Sequence, residues 1–227
     1  MRLPVTPPSS TLLDELDRCD ERFERAAPEE ILTWTFERFG DDCALACSFE
    51  DVALVHMVHR LRPDTEIVFL DTGGHFPETL DFVERVRGEW NLRVVRATPG
   101  DDATPWPCGS SRCCEVRKVA PLGRALEGRA AWITSVKRVD GPTRASMKIL
   151  MWDEKFGLVK VNPLATWSDD DVAYYLRSHN LPEHPLWSQG YESIGCAAMT
   201  ERPRVPGDRR SGRWVGLDKD ECGLHES

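Results

Sequence analysis

The stretch 43–79, CALACSFEDVALVHMVHRLRPDTEIVFLDTGGHFPET, decides the fold. It opens on a short apolar run, Cys43–Cys47, and reaches a second, Glu66–Leu70, with an amphipathic segment from Val52 to Leu61 between them. A strand that reads as continuously apolar, without alternation, is buried on both faces. A helix between two such strands is the usual crossover of a parallel pair. Working outward, Pro77 to Arg87 reads as the next helix, Leu92 to Val95 as a third strand and Ala131 to Val136 (AWITSV) as a fourth. The fold class expected is therefore α/β, a mostly parallel sheet with helices on both faces. Sheets of this kind bind ligands at the carboxyl ends of their strands.

Ahead of the first strand, Ser10 to Arg25 carries an apolar stripe of Leu12, Leu13, Leu16 and Phe23, and a second helix is expected from Pro28. Between Thr98 and Arg112 the composition turns to Pro, Gly, Ser and Asp, which predicts a loop. Ser168 opens S-D-D-D, a good helix start, and that helix should run to about His179. From Pro182 onward Pro and Gly recur and periodicity is lost. A main domain over 1–200 and a mobile tail over 201–227 are expected.

Composition narrows the function. The chain of 227 residues has 29 Lys and Arg against 38 Asp and Glu, a net charge of −9. Acidic excess argues against nucleic-acid binding, and no apolar run reaches the ~20 residues of a membrane span. Met1 to Ser10 lacks the pattern of a secretory signal, so a reducing, cytoplasmic setting is expected. Eight cysteines in such a setting point to catalysis or metal binding more than to disulfides.

Several groups carry candidate chemistry. Ser48-Phe49-Glu50-Asp51 follows a strand and opens a helix, where backbone N–H groups can hold a phosphate, although taken alone a plain helix cap is the better explanation. Leu70-Asp71-Thr72-Gly73-Gly74-His75 follows the second strand, and paired glycines let a ligand approach the backbone. Cys113 and Cys114, beside Arg117 and Lys118, read as half of an iron–sulfur ligand set. Cys196 is a third thiol, Met199 stands three residues beyond it, and Cys108 is a substitute for the missing fourth. Arg138, Arg144 and Lys148 follow the AWITSV strand, and the tail holds Arg202, Arg204, Arg209, Arg210 and Arg213. Arginine matches phosphate and sulfate oxygens bidentately. Cys222, in Glu221-Cys222-Gly223-Leu224-His225, is a tail thiol that packing explains poorly. His56 and His59, one helical turn apart, lack a third ligand and read as packing or surface residues.

Taken in order, SFEDV (48–52), FLDTGGHFPET (69–79), CCEVRKVAPL (113–122), WITSVKRVDGPTRA (132–145), VKVNPLATWSDDDV (159–172), GYESIGC (190–196) and SGRWVGLDKDECGLH (211–225) resemble the adenylyl-sulfate and phosphoadenylyl-sulfate reductases of sulfate assimilation. The resemblance implies a Rossmann-like, adenine-nucleotide-binding fold. It implies that Ser48, Asp51, Leu70, Asp71, Thr72, Gly73, Lys118, Arg138, Arg144, Arg209 and Arg210 surround the substrate, and that Cys222 attacks its sulfur. The Cys113-Cys114 pair resembles the iron–sulfur subgroup, which implies a [4Fe–4S] cluster on Cys113, Cys114 and Cys196, with Met199 where that subgroup has its fourth cysteine, and a preference for adenylyl sulfate. A thioredoxin or glutaredoxin-like reductant would follow, and oligomerisation stays open. The rival readings are the same reaction on the 3′-phosphorylated substrate, a ligase or thiolase of the ATP-pyrophosphatase type, and an iron–sulfur sensor.

Overall fold

A computed structural model of the chain describes residues 7–100, 106–219 and 221–225. Its centre is a six-stranded sheet in the order β3-β2-β1-β4-β6-β5. The strands are β1 (Cys43–Cys47), β2 (Glu66–Leu70), β3 (Val94–Ala97), β4 (Ala131–Thr134), β5 (Leu150–Asp153) and β6 (Leu158–Val161). All neighbours pair in parallel except β5, which closes one edge as an antiparallel hairpin with β6. The helices are α1 (Ser10–Phe23), α2 (Pro28–Phe39), α3 (Ala53–Leu61), α4 (Pro77–Glu89), α5 (Ser111–Cys114), α6 (Ala120–Ala125) and α7 (Asp169–Ser178).

Side chains that alternate along a strand face opposite sides of the sheet, and the core divides accordingly. Leu45, Cys47, Ile67, Phe69 and Ile133 pack with Leu16, Phe23, Ile31, Leu54, Phe82 and Leu176 of the helices on one face. Their strand neighbours Ala44, Val68 and Trp132 pack with Leu122 and Leu126, at and just beyond the end of α6, on the other. The expected architecture, a mostly parallel sheet covered on both faces, is the observed one.

Local chemistry explains the element ends. Pro28 and Pro77 occupy the first turns of α2 and α4, where their missing N–H groups are not needed. Ser168 and Asp171 form a reciprocal capping box at the start of α7. The β5–β6 hairpin was not anticipated, since Lys160 and Asp153 interrupt its apolar run although both are buried. Nor was the helical segment from Ser111 to Ala125, in which a π-turn over Glu115–Val119 joins α5 to α6. It begins inside the loop expected over 98–112; of that loop, residues 101–105 lie outside the described residues. So does part of the N-terminal segment read for a signal.

One side chain ties α1 to the edge of the sheet. Asp20 is 9% exposed, and its Oδ1 accepts the backbone N–H groups of Ile149 (2.7 Å) and Leu150 (3.1 Å). Asp20→Ala leaves these donors without that carboxylate, and hydrogen bonds to a charged group contribute about 1.5–3 kcal/mol. Urea unfolding should show a loss of that size; a loss below about 0.5 kcal/mol, the usual effect of an inconsequential surface change, would show that the strand holds without α1.

Candidate active site

Strand order reverses between β1 and β4, since the chain builds outward through β2 and β3 on one side and through β6 and β5 on the other. The carboxyl ends of two strands that part in this way leave a crevice. Here Cys47 and Ser48 after β1 and Thr134 and Ser135 at the end of β4 line a cavity of about 180 Å³. The turn after β1 is unusual, because buried Phe49 takes a left-handed backbone (φ 57°) and packs edge-on against Phe69. A bulky residue held there is strained, and such strain concentrates at functional sites. Asp51 then caps α3 by accepting the N–H of Ala53 (3.0 Å).

The cavity holds in its lining an apolar group, Leu70, Leu122, Trp132 and Leu224, that packs in one cluster. It also holds the cations Lys118, Lys137, Arg144, Arg209, Arg210 and Arg213, among the carboxylates of Glu50, Asp51, Asp140 and Glu221. Cys222 lines it as well, so the tail thiol and the cations share one chamber. The tail has little regular structure, as expected, with isolated bridges at Thr200–Arg213 and Val205–Asp208. It differs from a free tail in how it is seated. Trp214 and Glu221 are buried, the Trp214 N–H bonds the Met199 carbonyl (3.1 Å), and the His225 ring stacks on Trp132 at 6.0 Å. Gly195 makes room for it, because a Cβ there would fall 2.0 Å from the Arg213 guanidinium.

The sequence-predicted residues divide into two groups. Ser48, Asp51, Leu70, Thr72, Lys118, Arg144, Arg209, Arg210 and Cys222 all line the cavity. Asp71, Gly73 and Arg138 do not. Asp71 is turned to Arg96 (3.1 Å) and the Gly73 N–H (3.1 Å), while a Cβ at Gly73 would meet Arg117 at 3.3 Å. Arg138 reaches away to Glu24 and to the Met147 carbonyl. Its neighbour Lys137 is the one aimed inward, paired with Asp140 at 2.8 Å. Burial works against the Lys137 charge, but Asp140 outweighs it and holds the ammonium above its usual range.

Arg144 is placed in the cavity but not as a free phosphate binder. Its Nε and Nη2 donate to both oxygens of Glu221 (2.6 and 3.0 Å), and its Nη1 donates to Asp140 (3.0 Å). Burial would push the Glu221 carboxyl up, but Arg144 and then Arg210 hold it below the usual range. Glu221 went unassigned in the sequence, its one signal being its place beside Cys222, while Lys137 reads there only as one of the cations at the end of the AWITSV strand and not as a substrate contact. Arg209 is likewise engaged, by Glu50 (3.0 Å) and Asp169. Lys118 is opposed by burial, yet the thiols of Cys222, Cys196 and Cys114 raise it above the normal lysine range. His225 is driven well below the normal histidine range by burial and the surrounding cations, which makes it a neutral ring. His56, read as a packing histidine, bonds the Tyr175 hydroxyl (2.9 Å) away from the cavity.

A smaller cavity adjoins the first, sharing Lys118, Cys196, Arg213 and Trp214 with it. Cys108, Cys113, Cys114, Cys196 and Met199 all line it. The π-turn lies directly after Cys114, and such turns recur at functional sites. Among the described residues no three His, Cys, Asp or Glu side chains yet converge as metal ligands do.

Fold and site together place a thiol and a group of cations in one chamber at the switch point of an α/β sheet. Residues 42–202 match the phosphoadenosine phosphosulfate reductase domain, and the chain belongs to that family. An adenosine 5′-phosphosulfate reductase of Mycolicibacterium smegmatis is 41% identical over 233 residues, covering 98% of this chain and 99% of the relative. One of Anoxybacillus flavithermus is 43% identical over 209 residues, 87% and 89% of the two chains. Among solved structures, phosphoadenylyl-sulfate reductase of Candida auris, in a phosphate complex, superposes with a TM-score of 0.74 at 22% identity, covering 87% of this chain and all of that one. FMN adenylyltransferase of Candida glabrata, with FAD and pyrophosphate, shares the fold at a TM-score of 0.61 and 13% identity, over 88% and 70%.

Proposed function

We propose that the chain is a reductase that converts adenylyl sulfate to sulfite and AMP, in sulfate assimilation, through a thiosulfonate on Cys222. The observation that carries this reading is the shared chamber, in which a thiol faces a cluster of cations at the switch point of the sheet. The apolar group suits adenine and the cations the phosphosulfate. Buried Nε1 of Trp132, Nδ1 of His225 and Nε of Arg213 have no partner among the described residues, and all three residues line the chamber. Buried polar groups are normally satisfied, so a ligand supplies the missing partners.

In the first half-reaction the Cys222 thiolate attacks the sulfonate sulfur. The sulfur–oxygen bond to phosphate breaks, AMP leaves with the electron pair, and Cys222 carries S–SO₃⁻. Lys118 and Arg210 are placed to offset the charge gathering on the leaving oxygen. In the second, a thiolate of a thioredoxin or glutaredoxin-like dithiol attacks the Cys222 sulfur and sulfite departs. The second thiol of the reductant closes its disulfide and returns Cys222, so two electrons pass from dithiol to sulfur. The reading extends to a main domain over 1–200 that binds nucleotide, a tail over 201–227 that delivers the thiol, and a cytoplasmic setting. No helix of the described residues is long and apolar enough to cross a membrane.

The cavity of Cys113, Cys114 and Cys196 offers the donors of a [4Fe–4S] cluster, but its volume is about 10 Å³, so holding one takes movement of the lining side chains. When bound, the cluster would add a compact charge beside Lys118, which lines both cavities.

Rapid mixing without reductant tests the two halves. Adenylyl sulfate should give a burst of about one AMP per chain, as a covalent intermediate accumulates, and sulfite only after reductant is added. The 3′-phosphorylated substrate should react with kcat/KM lower by at least about tenfold, which is 1.4 kcal/mol of discrimination. Sulfite release without any AMP burst, or equal use of both nucleotides, overturns this reading.

A further inference from the structure

We propose that Cys108 is the fourth thiolate of the sulfur cavity, standing in for the thioether at Met199. The inference rests on the cluster reading above and identifies the ligand that reading leaves open. Three thiolates, Cys113, Cys114 and Cys196, leave one iron of a cubane without a charged ligand, and the neutral sulfur of Met199 is a poor substitute. Cys108 is far from Met199 in sequence, yet it lines the same small cavity. It shares that cavity with the thiols of Cys113, Cys114 and Cys196.

The loop that carries Cys108 is shaped to this position. The Ser110 N–H bonds the Pro107 carbonyl (3.1 Å), closing a turn with Cys108 and Gly109 at its centre. Gly109 takes φ 89°, the backbone that the third residue of a type II turn requires. A Cβ on Gly109 would fall 2.6 Å from the Met199 sulfur and 2.7 Å from Leu217. Glycine therefore lets the loop lie directly on Met199, and the adjacent thiol arrives where the sulfur of position 199 is weakest as a ligand. Ser110 then caps the helix of the tandem pair, its Oγ accepting the Cys113 N–H (3.1 Å). The turn and the cap fix Cys108 relative to Cys113 and Cys114. From the tail, the Lys219 Nζ donates to the Gly109 carbonyl (3.0 Å) and to the Cys114 sulfur (3.2 Å), which pins the loop to the pair. Because the thiols do not yet converge, closing the set takes side-chain rotation, with Cys114 exchanging Lys219 for iron.

The test compares the full-length protein with Cys108→Ser, Met199→Cys and the double variant, each purified and reconstituted with iron and sulfide without oxygen. Iron and sulfide per chain, the visible charge-transfer band and electron paramagnetic resonance after brief air exposure are the readouts, with AMP binding as the control for folding. The unaltered protein should hold about four irons. Cys108→Ser should lose iron at least about tenfold faster in air and show the signal of a three-iron cluster, since one iron then lacks a thiolate. The double variant should regain the stability, because a thiolate returns at position 199, whereas Met199→Cys alone should add little. Unaltered iron content and lability in Cys108→Ser, or no recovery in the double variant, overturns the proposal while the cluster reading stands. Absence of iron from the unaltered protein overturns both.

Discussion

Cys222→Ser is expected to lower sulfite formation by at least about 10³-fold, the scale on which loss of a covalent nucleophile is felt. A serine hydroxyl is far less ionised than a thiol, and an oxygen–sulfonate ester could not be cleaved by thiol exchange. Both half-reactions therefore fail together. AMP binding should change little, because the apolar group and the cations of the chamber are side chains other than this thiol. Sulfite release with reductant, and calorimetry with AMP, give the two measurements. Substantial multiple turnover by the variant would falsify the role of Cys222. Loss of AMP binding in parallel would mean instead that the change unseats the tail, since Cys222 lies between Glu221, held by Arg144, and Gly223, whose carbonyl is bonded by Lys155.

Much of this arrangement was legible in the sequence, and the reasons are local. CALAC and, after Glu66, the IVFL of β2 are apolar because β1 and β2 lie inside a sheet covered on both faces. The hairpin at the edge was not legible, because Lys160 sits buried over the Trp132 ring (5.3 Å) and breaks the pattern. Burial pushes that lysine down to about 8, Asp153 opposing the shift, an environment that composition cannot reveal. Arg138 and Lys137 show the limit at the site. Both follow β4, but consecutive residues diverge, and only the fold decides that Lys137 turns inward while Arg138 meets Glu24 on α1's C-terminal side. Glu221 was passed over because an acidic residue near a chain's end ordinarily faces water. Here it is 6% exposed and paired.

That pair carries the second large effect. Arg144→Ala removes the partner of a buried carboxylate, and breaking a buried ion pair from one side costs about 3–5 kcal/mol. The Glu221 charge would keep Arg210, at 3.5 Å, and the weaker Thr143 hydroxyl, at 3.4 Å, and the segment holding Cys222 would leave its seat. The variant should therefore lose about 10²–10³-fold in kcat/KM, corresponding to roughly 3–4 kcal/mol. The loss should fall mainly on the burst rate, and AMP affinity should weaken by much less, because Arg144 spends its donors on Glu221 and Asp140. Glu221→Ala should reproduce the loss, and the Arg144→Ala, Glu221→Ala double variant should be little worse than either single change, as coupled residues are not additive. Two results would place Arg144 on the phosphosulfate instead: AMP affinity falling as steeply as kcat/KM, or full additivity in the double variant. The distinction matters for how the enzyme is assembled. If the expected split is found, the arginine that a sequence reader assigns to the substrate is the anchor that brings the nucleophile to it.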